Sequence, residues 1–261
     1  MAFTCTVILL AGCSAPEKND ALWQQVKITD ITPSRSSKLA GTHFLKTADF
    51  NILVFEIPAE DANALDNIWP ILYTQPLQFN DYDAFSANSF SAGFGQTRMW
   101  NEIADLLRTA GAKKTETISL LLPDGQANEV AIARLNNKQT IFYVSTTGSM
   151  EGATIGPGGL SLRIKAEKIP GSRGVCKVGV APAFPSSVTT LIPQLAKREK
   201  SRELFFLCCG FSSKMSPGDF IFLGPKKYID NQITLAGLFF SRPGRRPVVR
   251  AYLLVCARIN Y

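Results

Sequence analysis

The stretch Val248–Ile259, VVRAYLLVCARI, constrains the fold more than any other part of the chain. Val249, Ala251, Leu253, Val255, Ala257 and Ile259 occupy alternate positions, and all are apolar. The opposite row is Val248, Arg250, Tyr252, Leu254, Cys256 and Arg258, with charge near both ends. Successive side chains on a strand point to opposite faces, so this pattern describes a strand with one apolar and one mixed face. Its length, at about 3.3 Å per residue, is roughly 40 Å, enough to cross a sheet or a tilted barrel wall. Lipid and lumen, or core and partly covered surface, both suit such a strand. The other strands of this half are short and several carry charge, which favours a sandwich. The strand is therefore expected to be central and buried on its Leu253–Val255 face.

The rest of the second half repeats the period of two. Strands are expected at Glu129–Leu135, Thr140–Ser145, Leu160–Ile169, Val175–Val180, Leu204–Phe211, Phe220–Leu223 and Ile233–Phe240. Leu162, Ile164 and Ala166 alternate with Arg163, Lys165 and Glu167, which puts one face in a core and the other in water. Pro170-Gly171 and Ser216–Asp219 are turn signals. Val188–Lys200 has helical character, limited by Pro193. Residues 123–261 read as all-β, a sandwich or part of a barrel.

Before Pro123 the period is mixed. Phe50–Ile57 (FNILVFEI) is a strand ended by Pro58. Glu60 and Asp61 suit a helix start, and Ala62, Leu65, Ile68, Trp69 and Leu72 follow at helical spacing until Pro70 interrupts. Gln75–Phe79 and Phe85–Phe94 read as strands. Gln96–Ala110 is the best helix, with Trp100, Ile103, Ala104 and Leu107 on one face and Gly111 just past its end. Thr115–Leu122 returns as a strand. The order β-α-β-β-α-β over residues 48–122 describes a compact split βαβ module. The expected class is thus α+β, with a boundary between about residues 111 and 128.

The chain has 261 residues, 46% hydrophobic and 19% charged, which suits globular structure and excludes collagen-like and disordered classes. No run of about 18 apolar residues occurs, so a polytopic helical membrane protein is excluded. The net charge of +7 is uneven: residues 1–130 hold 9 Lys/Arg and 15 Asp/Glu, and residues 131–261 hold 19 and 6. That division suggests two regions with different surroundings or partners.

The amino terminus reads as an address. MAFTCTVILLAG is apolar and uncharged, too short to span a bilayer but suited to a signal-peptide core, although no Lys or Arg precedes it. Leu10-Ala11-Gly12-Cys13 is similar to a bacterial lipobox, which makes Cys13 the expected site of lipid attachment. Residues 1–12 are then the signal peptide and 13–47 a tether, with one short strand at Trp23–Ile28. Behind such an address lies an oxidising compartment. Cys176, Cys208, Cys209 and Cys256 allow three pairings, and the adjacent Cys208 and Cys209, read on one strand, face opposite ways. Small buried core residues are the plainer reading of all four. No CxxC spacing points to zinc.

Catalytic material is sparse. His43 is the one histidine, so chemistry needing two imidazoles is excluded, and no Gly-x-Ser-x-Gly elbow is present. Gly152–Gly159 (GATIGPGG) lacks the Gly-Lys-Ser/Thr end of a P-loop and reads as a hairpin or loop. Asp81 and Asp83, with Asp49 or Glu56, do not fit EF-hand spacing and read as solvated. No enzyme, cofactor or metal is expected. Two basic groups stand out as an interaction surface: Arg242, Arg245, Arg246 and Arg250, and Lys197, Arg198, Lys200 and Arg202. Export removes nucleic acid as a partner and leaves anionic head groups, peptidoglycan or an acidic protein face.

Three segments resemble the secretins, ring-forming outer-membrane proteins of type II and type III secretion and type IV pilus systems. In residues 86–110, Asn88 and Ser89 open a strand, Gly93 and Gly95 make a turn, and Trp100–Leu107 face a core, as in the secretin N-module. Gly159–Val180 resembles the paired strands of the secretin β-domain. Leu235–Ile259 is similar to the secretin end, with Leu235, Gly237, Leu238 and Phe239 in comparable places. The Val-Pro-x-Leu-Gly-x-Ile-Pro motif is replaced by Lys226–Thr234, only one N-module is present, and the β-half is short. The resemblance implies a non-catalytic envelope protein at the outer membrane, facing the periplasm. It also implies envelope partners or self-association in a secretion, pilus or assembly complex. A free-standing periplasmic lipoprotein that binds a cell-wall or protein ligand through its basic half is the alternative, with a hydrolase third.

Overall fold

A computed structural model describes residues 46–185 and 203–261. Cys13, His43, the Trp23–Ile28 segment, Val188–Lys200 and the basic group Lys197, Arg198, Lys200 and Arg202 lie outside the described residues.

The chain is mostly β with short helices. In order, β1 is Thr47–Pro58, followed by 3-10 turns at Ala59–Asn67 and Trp69–Ile71. β2 is Gln78–Phe79, α1 Tyr82–Ala87, β3 Phe90–Gln96, α2 Trp100–Thr109 and β4 Lys113–Pro123. Next come β5 Ala127–Leu135, β6 Gln139–Val144, β7 Met150–Ile155, β8 Gly158–Lys168 and β9 Cys176–Phe184. The last part holds β10 Leu204–Phe205, β11 Phe211–Met215, β12 Asp219–Pro225, α3 Leu235–Phe240, β13 Ser241–Arg242 and β14 Val248–Asn260.

Two antiparallel sheets stack face to face. The first has the order β3-β12-β14-β1-β4, with β13 also on β14; the second has the order β2-β11-β9-β8-β5, with β10 also on β9. β6 and β7 form a separate hairpin. One core lies between the sheets, and it includes Phe50, Ile52 and Val54 of β1 with Tyr252, Leu254 and Cys256 of β14. The other core lies on the outer face of the first sheet. There Leu53, Phe55 and Ile57 of β1 and Val249, Ala251, Leu253 and Val255 of β14 meet Ala62, Leu65 and the α2 residues Trp100, Ile103, Ala104 and Leu107. β1 and β14 are therefore covered on both sides, a layered arrangement of helices, sheet and sheet.

The carboxy-terminal strand is central, and Leu253 and Val255 are fully buried. Its mixed row is buried too, because the second sheet covers it; only its polar ends reach the rim. The α2 face and the positive φ of Gly111 also follow the sequence pattern.

The first sheet departs from the expected organisation. β1, β3 and β4 come from residues 48–122 but β12, β13 and β14 come from the second half, and β12 and β14 sit between β3 and β1. Residues 48–122 do not form a sheet of their own, and a cut between residues 111 and 128 divides this sheet. The reason is hydrophobic: β1 has two apolar faces and two edges to satisfy, and β14 supplies a partner of the same kind along its whole length.

Four local readings also change. Residues 85–87, read as the start of a strand, instead end a helix over Tyr82–Ala87, because the Asp81 carboxylate accepts the Ala84 N–H at 2.9 Å and caps the turn. Residues 235–240 are a helix rather than a strand: Thr234 caps it, and all six residues are buried, so no periodicity marks it. Gly93 and Gly95 lie inside β3, not in a turn. A Cβ on Gly93 would sit 2.5 Å from the Leu72 side chain, and one on Gly95 would sit 2.3 Å from the Phe220 ring, so close packing is what these glycines permit. Finally, Leu204–Phe211 is broken by a 3-10 turn at Leu207–Cys209.

Candidate functional site

The site grows from one charge inside an apolar strand. Glu56 ends the FNILVFE run of β1, and its register partner across the sheet is Arg250 of β14. The β13–β14 hairpin, turning at Pro243-Gly244, brings Arg242 to the same place, opposite Val248. Glu56 Oε1 accepts from Arg242 Nη1 at 2.8 Å and from Arg250 Nε at 3.2 Å. Arg250 Nη1 also donates to the Ile132 carbonyl of β5 at 3.0 Å, so this guanidinium bridges the two sheets. The Glu56 and Arg250 side chains are 15% and 22% exposed, whereas Arg242 is 59% exposed. The charge-assisted bonds to Arg250 are therefore the more sheltered part of the cluster.

Beneath the cluster lies the Tyr252 phenol, which donates to the Phe239 carbonyl at 2.8 Å. Burial pushes its pKa well above the ordinary value, against the pull of Arg250, so it stays a neutral donor. A cleft of about 280 Å³ opens here between β4 and β5, with Glu56, Glu116, Arg242 and Arg250 on its walls.

Arg245 and Arg246 are exposed in the loop before β14. They line a second cleft, about 530 Å³, with Glu56, Glu60, Lys113 and Pro247. The four arginines between residues 242 and 250 thus gather at one corner, but in two roles. Arg242 and Arg250 spend their charge on Glu56. Arg245 and Arg246 have no ion pair among the described residues and, with Lys113, present positive charge outward. Chemically, that rim suits carboxylate or phosphate groups.

The charge asymmetry of the sequence acquires a second meaning at this strand pair. Glu56 and Asp49 of the acidic half face Arg250 and Arg258 of the basic half as register partners, and Arg258 Nη2 lies 2.7 Å from Asp49 Oδ2. Part of the asymmetry is the two halves neutralising each other. Glu56 was legible only as a lone carboxylate in an apolar run, a signal that asks for a buried cation.

The acidic residues considered for a cation are not brought together. Asp81 caps α1, Asp83 lies in its first turn, and Asp49 and Glu56 hold arginines. Cys208 and Cys209 do not face opposite ways on a strand. In the 3-10 turn their sulfurs are 3.9 Å apart, both buried. The hydrogen bond from Cys209 lowers the Cys208 pKa, while burial raises that of Cys209. Asn88 packs against Cys208, its Nδ2 3.9 Å from that sulfur, and donates to the Ala84 and Val144 carbonyls at 2.8 and 2.7 Å. This is the role of Asn88, while Ser89, at a φ of 62°, turns the chain into β3.

Comparison with known families gave no matching family model, and no curated protein matches the chain.

Proposed function

We propose that this chain is a non-catalytic, lipid-anchored protein of a bacterial envelope, held at the outer membrane and facing the periplasm. It works through protein contacts in a secretion, pilus or envelope assembly complex. The observation that carries the reading is Leu10-Ala11-Gly12-Cys13 behind an apolar run, with the sequence of residues 13–47 suited to a tether. The secretin-like architecture belongs to the proposal. It is supported by the order Asn88-Ser89, strand, helix over residues 86–110. In this reading Arg245, Arg246 and Lys113 meet an acidic protein face. Metabolic labelling with a fatty-acid probe tests the anchor: wild type takes the label and Cys13→Ser does not. Equal label in both contradicts it.

A second reading is a free-standing lipoprotein that binds an acidic cell-wall or protein ligand. The cleft of about 530 Å³ under Arg245 and Arg246 favours it. Electron microscopy of the protein extracted from membranes separates the two. A large ring supports assembly, and a monomer supports the ligand-binding lipoprotein.

A further inference from the structure

Cys176 opens β9 in the second sheet, and Cys256 lies near the end of β14 in the first. Both are fully buried in the core between the sheets. Three links bring them to the same place. Cys176 is the register partner of Met215, the last residue of β11. The turn Ser216–Asp219 then crosses to the other sheet, where the Gly218 N–H donates to the Cys256 carbonyl at 2.8 Å. On the other side, the Tyr261 hydroxyl accepts from Val175 N at 3.1 Å and donates to Val175 O at 3.3 Å. The carboxy-terminal end of β14 is thus tied to the residue before Cys176. Between these ties both side chains lie in the same core, as free thiols.

We propose that Cys176 and Cys256 form a disulfide that locks the two sheets together at the end bearing the Ser216–Asp219 turn. The proposal rests on the envelope reading for its oxidant, which is a disulfide-bearing oxidoreductase or oxidised glutathione. One cysteine thiolate attacks a sulfur of that disulfide and releases one thiol. The second cysteine then displaces the other half. Two cysteine thiols are oxidised, and one external disulfide is reduced to two thiols. The neighbouring Cys176 thiol, and then burial, hold the proton on the Cys256 sulfur in the folded chain, so the bond forms before the sheets close. The bond closes a loop of about eighty residues, the long-loop case in which constraint of the unfolded chain is greatest.

The test uses the full chain in detergent, reduced and denatured, then refolded in a reduced and oxidised glutathione buffer. Free thiols are alkylated without reduction, and the digest is read by mass spectrometry. The expected result is a peptide pair joining Cys176 to Cys256, with Cys208 and Cys209 alkylated. Dithiothreitol should remove the link and lower the urea midpoint by about 1 M. Cys176→Ala should give the same low midpoint with or without dithiothreitol. Separate alkylation of Cys176 and Cys256, a link from either to Cys208 or Cys209, or a midpoint insensitive to dithiothreitol overturns the proposal. The wild-type comparison needs no variant to fold. A chain that links in glutathione but carries free thiols when isolated from cells supports the pair and counts against the envelope reading instead.

Discussion

β14 and β4 are the two neighbours of β1, and they share a sheet but not an environment. β14 runs for 13 residues with both side-chain rows buried from Val249 to Cys256, apart from Arg250. β4 runs for 11 residues and is mostly exposed, with Leu121 at 60%. Both carry apolar runs, but β4 also holds three charges and three Ser/Thr in eleven residues. Position decides the rest. β14 has β12 and β13 on its far side, helices above and a second sheet below. β4 has an open edge. That edge carries Lys113, Lys114 and Glu116, and its register slips between Val54 and Phe55 of β1. Charge and a bulge are common defences of an edge strand against adding another strand. The difference teaches that the second face of a strand is buried by what packs on it, which its own residues only permit.

The largest expected effect breaks the comparison on the β14 side. Leu253→Asp puts a carboxylate at a fully buried site between Phe222 of β12 and Leu53 of β1. It should cost several kcal/mol, on the order of 4 or more, and unfold the chain; urea melts followed by circular dichroism measure it. Gly95→Val should cost about 1–3 kcal/mol, because its Cβ meets the Phe220 ring and the sheet must shift. Glu56→Gln removes the carboxylate from Arg250 and should cost about 1–3 kcal/mol, with Arg242 contributing less because it is exposed. A double-mutant cycle with Arg250→Met separates the Glu56–Arg250 coupling from that of Arg242. On the β4 side, Leu121→Asp should change stability by no more than about 0.5 kcal/mol. Arg245→Ala with Arg246→Ala should be equally silent in melts yet weaken binding to anionic vesicles or acidic peptides, read by co-sedimentation at low salt. Unchanged binding would remove the basic rim from the account.

The sequence made β1, β14, β8 and α2 legible, because each has a strong period and a face of its own. It misread residues 235–240, where LAGLFF is apolar throughout and a helix buried on every side looks like a buried strand. It misread residues 85–87, where the short Asp81 cap was the only sign of a helix. Gly93 and Gly95 looked like turn residues because their partners, Leu72 and Phe220, are distant in sequence. The sharing of the first sheet was hidden for the same reason: strand order depends on pairings across some two hundred residues, and local period carries no such information. At the site, the arginines were visible as a cluster. Their division into two held by Glu56 and two facing outward was not, because it depends on the β1–β14 register.

The central claim is that β1 and β14 join the two halves of the chain into one cooperative sheet. Native-state hydrogen exchange of the full chain, followed by mass spectrometry over increasing urea, tests it most directly. The account predicts that amides of residues 47–58 and 248–260 exchange together, in the slowest class, with one common dependence on urea. Exchange of residues 47–122 in one opening and residues 123–261 in another, at separate urea concentrations, would contradict it.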